Sequence, residues 1–462
     1  MARPGEWIAT AVLGTLLAVS AARAQKPAVA PTPAPAADAD LERAANLLRE
    51  NKVEEALAAI RAGAAKHPEW PPVRLILARL HFSLNQAVPG RLALEAADVE
   101  GPDNSDVILT FASQALNEGR YHDAKLNCEK ALTLAEKMRP DSEAARNTRR
   151  DAHAGLAAVA ENRRQWEQAR DHLQEWLKQD DKSVPANQRL GRALYMAGHK
   201  DEALHALTRA HELDPNADAP LVSMAQLAAQ NGDAVAAGDF LERAVKADPK
   251  SVKVRVAQAR WLIDAEKVDA AKAVIAEAKK IDPASKDVER LNGLIAWNQR
   301  DFASAEKIFE ALHKEVPSDL GVSNLLALSL AEQEDSAKRA RALQIAEANV
   351  RLSQTAEIVA TLARTQYRAG KLDDAERTMQ VLSTNSSGQI AADAAFFGAR
   401  MMADRGRVED ARNLLRQIVS LQGLFAYRRE ALDLLQKLEG PGETKPQPAT
   451  KTAPKDKAAK KL

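Results

Sequence analysis

A period of 34 residues runs through the middle of the chain. Proline recurs at this step, as Pro215, Pro249, Pro283 and Pro317. Alanine keeps the same step, as Ala203, Ala237, Ala271 and Ala305. Two residue types held to one period indicate a repeated supersecondary unit, and a period of this length is typical of a repeat built from two helices.

The residues between these anchors predict two helices and a turn in each period. In residues 184–217, Leu190 and Gly191 fall in the first helix, Gly198 separates the helices, and Pro215 ends the second one. Glycine permits the backbone conformation of a tight turn, and proline cannot continue the helix that precedes it. A small residue such as Ala203 lets two helix backbones approach closely.

This pattern resembles the tetratricopeptide repeat family. Leu190, Gly191, Ala203 and Pro215 match the Leu-Gly, Ala and Pro of that family's motif, while Ala, Leu and Ile often replace its large aromatic residues. The same frame extends in both directions, so we expect about eleven units between residues 37 and 420. The resemblance implies an all-α fold, a right-handed superhelical solenoid of helix-turn-helix repeats.

One interval departs from the period. The step from Ala124 to Ala169 is 45 residues, which is eleven more than the usual 34. Eleven residues make about three helical turns. An extended second helix through Leu132, Leu134 and Met138 would therefore keep its buried face in phase. A shorter insertion falls near residues 332–338.

The two ends of the chain differ from the repeats. Residues 1–24 combine Arg3, an apolar run from Ile8 to Ala21 and small residues before a cleavage point after Ala24. This pattern predicts a signal peptide, and hence a periplasmic or secreted protein. The alternative is an unusually hydrophobic first helix. The run is too short for a membrane span, so no transmembrane segment is expected.

We predict four segments along the chain. The signal peptide occupies residues 1–24, and a linker rich in proline and alanine occupies residues 25–40. The solenoid occupies residues 41–439 and closes with an amphipathic capping helix over residues 424–438. Residues 440–462 are rich in lysine and proline and have no apolar periodicity, so we expect a disordered tail.

The composition excludes several classes of protein. The net charge is +1, so there is no overall field that would attract nucleic acid. The nine histidines form no His-Glu-x-x-His motif. A Ser-x-x-Lys match at Ser304 lies inside a second helix, where a surface position is expected. We therefore predict no catalysis, no cofactor and no metal. The single cysteine, Cys128, stands where other units have Leu207 or Leu241, which favours buried packing over a redox or cross-linking role.

The family resemblance also suggests a binding surface. In tetratricopeptide repeats the fifth, ninth and twelfth positions of each first helix point into the concave groove. Here they are Arg192, Tyr195, Gln226, Arg260, Arg290, Trp297, Asn324, Arg364, Tyr367, Phe396 and Arg400. Arginine and aromatic residues suit extended ligands that carry carboxylates. The alternative is that they are ordinary exposed residues of helices. The Lys and Asn clamp of the family's chaperone-binding members is absent.

Two functions follow from these features. The first is an exported scaffold or adaptor that holds a protein partner in its groove during cell-envelope assembly, polysaccharide export or secretion. The alternative is direct binding of an anionic envelope polymer through the groove arginines and the basic tail. Salt dependence separates them, because binding by point charges falls steeply as the salt concentration rises.

Overall fold

The computed structural model describes residues 39–385, 391–421, 425 and 427–440. This part of the chain is all-helical and has 23 helices. It divides into two compact units at Lys250. The N-terminal unit, residues 39–250, contains α1 to α12, and the C-terminal unit, residues 251–440, contains α13 to α23.

The helices of the N-terminal unit are α1 Ala39–Arg49, α2 Val53–Lys66, α3 Val73–Ser83, α4 Ala87–Glu100, α5 Ser105–Asn117, α6 Tyr121–Lys137, α7 Glu143–Asn162, α8 Trp166–Gln179, α9 Val184–Ala197, α10 Lys200–Leu213, α11 Pro220–Gln230 and α12 Ala234–Ala247. Those of the C-terminal unit are α13 Val252–Asp264, α14 Val268–Ile281, α15 Lys286–Asn298, α16 Phe302–Glu315, α17 Leu320–Ala331, α18 Ser336–Leu352, α19 Ala356–Arg368, α20 Leu372–Asn385, α21 Ala392–Asp404, α22 Val408–Val419 and α23 Arg428–Glu439.

Consecutive helices pack as pairs. Each odd-numbered helix from α1 to α21, called an A helix below, lies against the even-numbered helix that follows it, called its B helix. The described residues thus form eleven pairs with one further helix, α23, after the last. The predicted all-α class and the predicted number of units are confirmed. Helix α23 covers most of the range in which the capping helix was expected, but it begins at Arg428.

Polar caps and prolines set the helix boundaries. The Ser251 hydroxyl accepts a hydrogen bond from the Val254 amide at 3.3 Å, and the Asp319 carboxylate accepts one from the Val322 amide at 3.1 Å. These side chains satisfy amide groups that have no partner within the helix. Pro215 follows the last residue of α10, Leu213, by two positions, where proline stops a helix.

The turn inside most pairs contains one residue with positive φ. Gly198 has φ 97°, a conformation that glycine adopts without steric cost. The equivalent turns in the first two pairs of the C-terminal unit use Glu266 and Arg300 instead, with φ 59° and 63°. A side chain with a Cβ is disfavoured there by about 1–2 kcal/mol.

Small residues let the paired helices approach. The four periodic alanines are fully buried. The aromatic or aliphatic side chains of the same B helices near each crossing are buried as well. A Cβ added at Gly191 on α9 would lie 2.6 Å from Leu207 Cγ on α10. One added at Gly293 on α15 would lie 2.6 Å from Phe309 Cε1 on α16. The A helix thus leaves the space that a larger side chain of the B helix fills, and the predicted helix-crossing positions are confirmed.

Replacing Ala237 with phenylalanine is expected to destabilise the N-terminal unit by about 1–3 kcal/mol, because no space remains for a ring at a fully buried crossing. Thermal and urea unfolding would measure the change. The matched control is Val235→Phe, which places the same residue on the same helix at a position that is 85% exposed. Equal stability of the two variants would contradict the assigned register.

The interval of 45 residues is built differently from the prediction. Helix α6 extends to 17 residues and ends at Lys137, so Met138 lies beyond it with an extended backbone. The remaining extra length is in the next A helix, α7, which has 20 residues and begins after the N-cap Ser142. Pro140 explains the division, because proline disfavours helical backbone in the residue before it. Leu134 is buried, as expected.

Cys128 is fully buried in the packing of α6, as predicted. Burial, with a smaller contribution from the charge of Glu129, raises the pKa of its thiol to about 12. The predicted signal peptide, nearly all of the predicted linker and residues 441–462 of the predicted tail lie outside the described residues. Ala39 and Asp40, assigned to the linker, already belong to α1. In the described part of the chain, no helix combines the length and apolar character that crossing a membrane requires.

Candidate partner-binding surface

All the predicted binding residues lie on A helices. Arg192 and Tyr195 are on α9, and Gln226 is on α11. The others belong to the C-terminal unit, where α13, α15, α17, α19 and α21 carry Arg260, Arg290, Trp297, Asn324, Arg364, Tyr367, Phe396 and Arg400. The structure separates them into accessible and buried side chains.

Two accessible residues belong to the N-terminal unit. Arg192 is exposed, with its guanidinium carbon 6.0 Å from the centre of the Trp166 ring. Gln226 is half-buried, and its amide donates a hydrogen bond to the Asp218 carboxylate at 3.0 Å. Both side chains can reach a bound molecule.

Four accessible residues belong to the C-terminal unit. Arg260, Arg290, Tyr367 and Arg400 are half-buried, and we call them the A-helix surface. The Tyr367 hydroxyl donates a hydrogen bond to the Asp404 carboxylate at 2.7 Å. Burial and this hydrogen bond raise the pKa of Tyr367 to about 12. Tyr367 is therefore a neutral hydrogen-bonding group at physiological pH.

Arg260 and Arg290 bring two positive charges close together on successive A helices. Burial lowers the pKa of Arg260, and the charge of Arg290 lowers it further. Arg290 pairs with Asp287 at 2.6 Å and lies 3.9 Å from Asp319. Near them, burial raises the pKa of Asp264 to about 7, although the charge of Arg260 opposes the rise. An additional carboxylate from a ligand would relieve the repulsion between the two guanidinium groups.

The remaining predicted residues are buried, which corrects the expectation that they project into an open groove. Tyr195 and Asn324 pack inside their units, and Asn324 donates a long hydrogen bond of 3.4 Å to Glu357. Trp297, Arg364 and Phe396 are buried for a different reason. All three contact one side chain that precedes α23, Tyr427, which packs over them.

We call this group the Tyr427 cluster, and it consists of Trp297, Arg300, Arg364, Phe396, Phe397 and Tyr427. The Tyr427 ring stacks on Phe396 with centroids 5.4 Å apart and an interplanar angle of 15°. Phe397 and Trp297 meet it edge-on at 5.1 and 6.1 Å. The guanidinium carbons of Arg364 and Arg300 lie 4.7 and 5.0 Å from the ring centre.

A buried ion network supports this cluster. Arg364, which is 5% exposed, donates through Nε to Glu332 Oε1 at 2.8 Å and through Nη2 to the Tyr427 hydroxyl. Arg368 also pairs with Glu332. Burial would raise the pKa of Glu332, but the charges and hydrogen bonds of Arg364 and Arg368 outweigh it and lower the pKa to about 2. Glu332 therefore stays ionised at neutral pH.

The sequence interpretation missed Glu332, Phe397, Arg300 and Tyr427. Glu332 follows the last residue of α17 and was assigned to an insertion. Tyr427 was assigned to the capping helix. One signal was available, because aromatic residues make up only 4% of the chain and Phe396, Phe397, Phe425 and Tyr427 come close together near its end.

Comparisons with known proteins identify repeats in the middle of the chain. Two family models match, and both describe a tetratricopeptide repeat. One matches residues 184–217 and the other residues 228–297. Neither model describes an enzyme family. No curated protein sequence matches the chain.

Several solved structures match the chain at low sequence identity. Yeast Tom70 is 16% identical, and the alignment covers 87% of this chain and 95% of that chain with a TM-score of 0.36. A tetratricopeptide repeat protein from Parabacteroides merdae is 15% identical, with 51% and 93% covered and a TM-score of 0.36. PilW, described as a type IV pilus biogenesis factor, is 17% identical, with 47% and 96% covered and a TM-score of 0.34. Such similarity carries no functional conclusion.

The matched residues contain periodic prolines and alanines. The first match spans α9 and α10, and the second spans α12 to α14 and nearly all of α15. Pro215 closes the first match, and Ala237 and Ala271 lie within the second. Residues 184–217 and 228–297 of this chain are similar to the tetratricopeptide repeat.

Proposed function

We propose that the chain is an exported adaptor that holds a protein partner on its A helices during cell-envelope assembly, polysaccharide export or secretion, and that it has no catalysis of its own. Tetratricopeptide repeats are scaffolds for protein interactions, which supports the general role. The signal-like pattern of residues 1–24 supports export. The observation that carries the proposal is the A-helix surface, where Arg260 and Arg290 combine two close charges with partial burial.

The physical argument concerns what such a surface binds well. Guanidinium groups form bidentate hydrogen bonds with carboxylates, and partial burial reduces competition from water. Tyr367 adds an aromatic ring and a polar hydroxyl to the A-helix surface. Aromatic and arginine side chains contribute most of the binding energy in many protein interfaces. A partner segment with acidic and apolar residues matches this combination.

Photo-crosslinking in cells tests the proposal. A photoreactive phenylalanine analogue at position 367 is expected to capture a discrete protein partner. The same analogue at Lys272, an exposed residue of the B helix α14, is the control and should capture none. Absence of a crosslink from position 367, or an equal crosslink from position 272, would overturn the proposed surface.

A charge-matched pair of variants tests the role of the two arginines. Arg260→Ala/Arg290→Ala should reduce the crosslink from position 367 by roughly ten-fold, which corresponds to about 1.4 kcal/mol. Lys253→Ala/Lys272→Ala removes the same net charge from exposed positions of this unit and should leave the crosslink unchanged. Equal losses in both variants would show that only the overall charge matters.

The alternative function is direct binding of an anionic envelope polymer, and the closeness of Arg260 and Arg290 is the observation that favours it. Alginate, a soluble polycarboxylate, is a suitable probe. If the polymer is the ligand, its affinity should fall steeply with salt and should be lost in Arg260→Ala/Arg290→Ala. An adaptor for proteins should bind alginate weakly and depend less on salt.

Export makes a separate prediction about the mature chain. We expect cleavage after Ala24, so that the protein outside the cytoplasm begins at Gln25. Intact-mass measurement of the protein recovered from the periplasm or the medium would establish the first residue. Replacing Ala22 and Ala24 with large residues should cause the uncleaved form to accumulate. A cytosolic protein that retains residues 1–24 would contradict export.

A further inference from the structure

We propose that the Tyr427 cluster is a tyrosine-binding pocket that the chain occupies itself, and that a partner segment with a tyrosine followed by an arginine displaces Tyr427 from it. This inference deepens the proposed function and rests on it for the existence of a protein partner. It names the chemistry of that partner and the way in which the chain regulates access.

The walls of the pocket come from three A helices of the C-terminal unit. Trp297 belongs to α15, Arg364 to α19, and Phe396 and Phe397 to α21. Tyr427, in contrast, is the N-cap residue of α23, the helix that follows the last pair. The walls thus belong to the helix pairs, whereas the occupant precedes a helix that follows the last pair.

The polar end of the pocket selects a phenol. Arg364 Nη2 donates to the Tyr427 hydroxyl, and Glu332 and Asp393 stabilise the charged form of Arg364. Burial raises the pKa of Tyr427 well above its usual value, although the charge of Arg364 opposes the rise. The occupant is therefore a neutral phenol at a site whose charges are already balanced. A phenylalanine would fill the same space and leave a buried guanidinium donor without this acceptor, which is unfavourable.

The contacts at the rim are of a different, weaker kind. Arg428 lies 3.6 Å from Glu266, and Glu430 pairs with Arg300, with these side chains between 29% and 52% exposed. Partly exposed ion pairs contribute little to stability. Glu266 and Arg300 are the two turn residues of the C-terminal unit that keep positive φ without being glycine. Their side chains contact the segment that carries Tyr427, which gives a reason for a non-glycine residue at both turns.

These features describe an occupant that is specific and also replaceable. A tethered segment reaches an effective concentration of about millimolar at its own site, so it excludes a free peptide at micromolar concentration. Replacing Tyr427 with alanine removes the side chain of the occupant and keeps every residue of the walls. The segment itself, Tyr427 followed by Arg428, then serves as a template for the displacing partner.

Peptide binding to the full chain tests the inference. The probe is a fluorescein-labelled peptide with the sequence FAYRREALDLLQKLE, residues 425–439. We expect Tyr427→Ala to bind it at least about ten-fold more tightly than the wild-type chain does. The same peptide with phenylalanine in place of its tyrosine should bind at least about ten-fold more weakly to that variant. Tyr121→Ala removes a tyrosine from the N-terminal unit and should bind like the wild type.

A second variant covers the case in which Tyr427→Ala does not fold. Arg428→Ala/Glu430→Ala removes the rim ion pairs and the hydrogen bonds from Arg428 to the Val419 and Leu421 carbonyls, and it keeps Tyr427 and the pocket walls. It should increase peptide affinity several-fold and accelerate amide hydrogen exchange in residues 427–439 more than in α15 or α21.

Three results would overturn the inference. The first is that a folded Tyr427→Ala variant binds no peptide and that hydrogen exchange in Arg428→Ala/Glu430→Ala is unchanged. The second is equal binding of the tyrosine and phenylalanine peptides. The third is a concentration-dependent wild-type dimer that exchanges this segment between two copies. The crosslink from position 367 is independent of them, so failure of the inference would leave the proposed function testable on its own.

Discussion

Replacing Arg364 with alanine is expected to lower the free energy of unfolding of the C-terminal unit by roughly 3–5 kcal/mol. The change removes the Nε partner of the buried Glu332 carboxylate and the donor to the Tyr427 hydroxyl. It also removes a guanidinium group that lies 4.2 Å from the centre of the Phe397 ring. Removing one partner of a buried ion pair lowers the free energy of unfolding far more than removing an exposed pair does, because the remaining charge stays desolvated.

Urea unfolding followed by circular dichroism measures this effect, and hydrogen exchange of α19 locates it. Arg351→Ala is the control, since it removes an exposed arginine from α18 of the same unit and should change stability by less than about 0.5 kcal/mol. A loss below about 1 kcal/mol in Arg364→Ala would mean that the Glu332 network contributes little to the fold.

The repeated units were predictable because their determinants are local. The proline after α10, α12, α14 and α16 and the small residue at each helix crossing act within one unit or between neighbours. The buried helix crossings could therefore be predicted from the positions of Ala203 and Ala237. Cys128 was predicted to be a core residue from its position in the repeat. The caps and turns that set each boundary also depend on only a few adjacent residues.

The Tyr427 cluster was not predictable from the same pattern, because it depends on contacts across long stretches of sequence. Tyr427 meets Arg364 and Trp297 although 63 residues separate it from the first of them. No periodicity relates these positions. Arg364, Trp297 and Phe396 occupy groove positions of the repeat, but their exposure depends on Tyr427, which packs over them.

The prediction for the interval of 45 residues was wrong for a more local reason. The extra length between Ala124 and Ala169 was assigned to one helix on the basis of phase alone. Pro140 and the N-cap Ser142 instead divide it between α6 and α7. Phase restricts where a buried face can lie, whereas the helix boundary is set by residues that stop and start helices.

Asp264 is expected to make the stability of the C-terminal unit depend on pH in the near-neutral range. Its folded-state pKa is raised from 3.8 to about 7, so the protonated form is favoured in the folded protein. The contribution is present below about pH 4 and is lost as the pH rises through 7. Asp264→Asn should remove this part of the pH dependence. The pKa of Glu332 is shifted in the opposite direction, so its effect on stability has the opposite dependence on pH.

Glu332 should contribute about 3 kcal/mol to folding at neutral pH, and this contribution should be lost in acid. Its pKa is about 2 in the folded protein against 4.5 for the unperturbed group, and each pKa unit corresponds to about 1.4 kcal/mol. Because the folded-state pKa is the lower one, the stabilisation is complete above about pH 4.5 and declines as the pH falls through 2. The cause is the pair of guanidinium groups of Arg364 and Arg368, which favour the ionised carboxylate.

Comparison with Glu332→Gln isolates this effect from the other carboxylates. The glutamine variant should be less stable at pH 6 and should lose less stability than the wild type between pH 5 and pH 2, since glutamine does not titrate. Urea unfolding at closely spaced pH values gives both curves, and all other acidic groups cancel in their difference. Parallel curves over this range would show that Glu332 has no depressed pKa. Curves that converge as the pH falls towards 2 are the expected result, because protonation removes from the wild type the ion pairs that the variant already lacks.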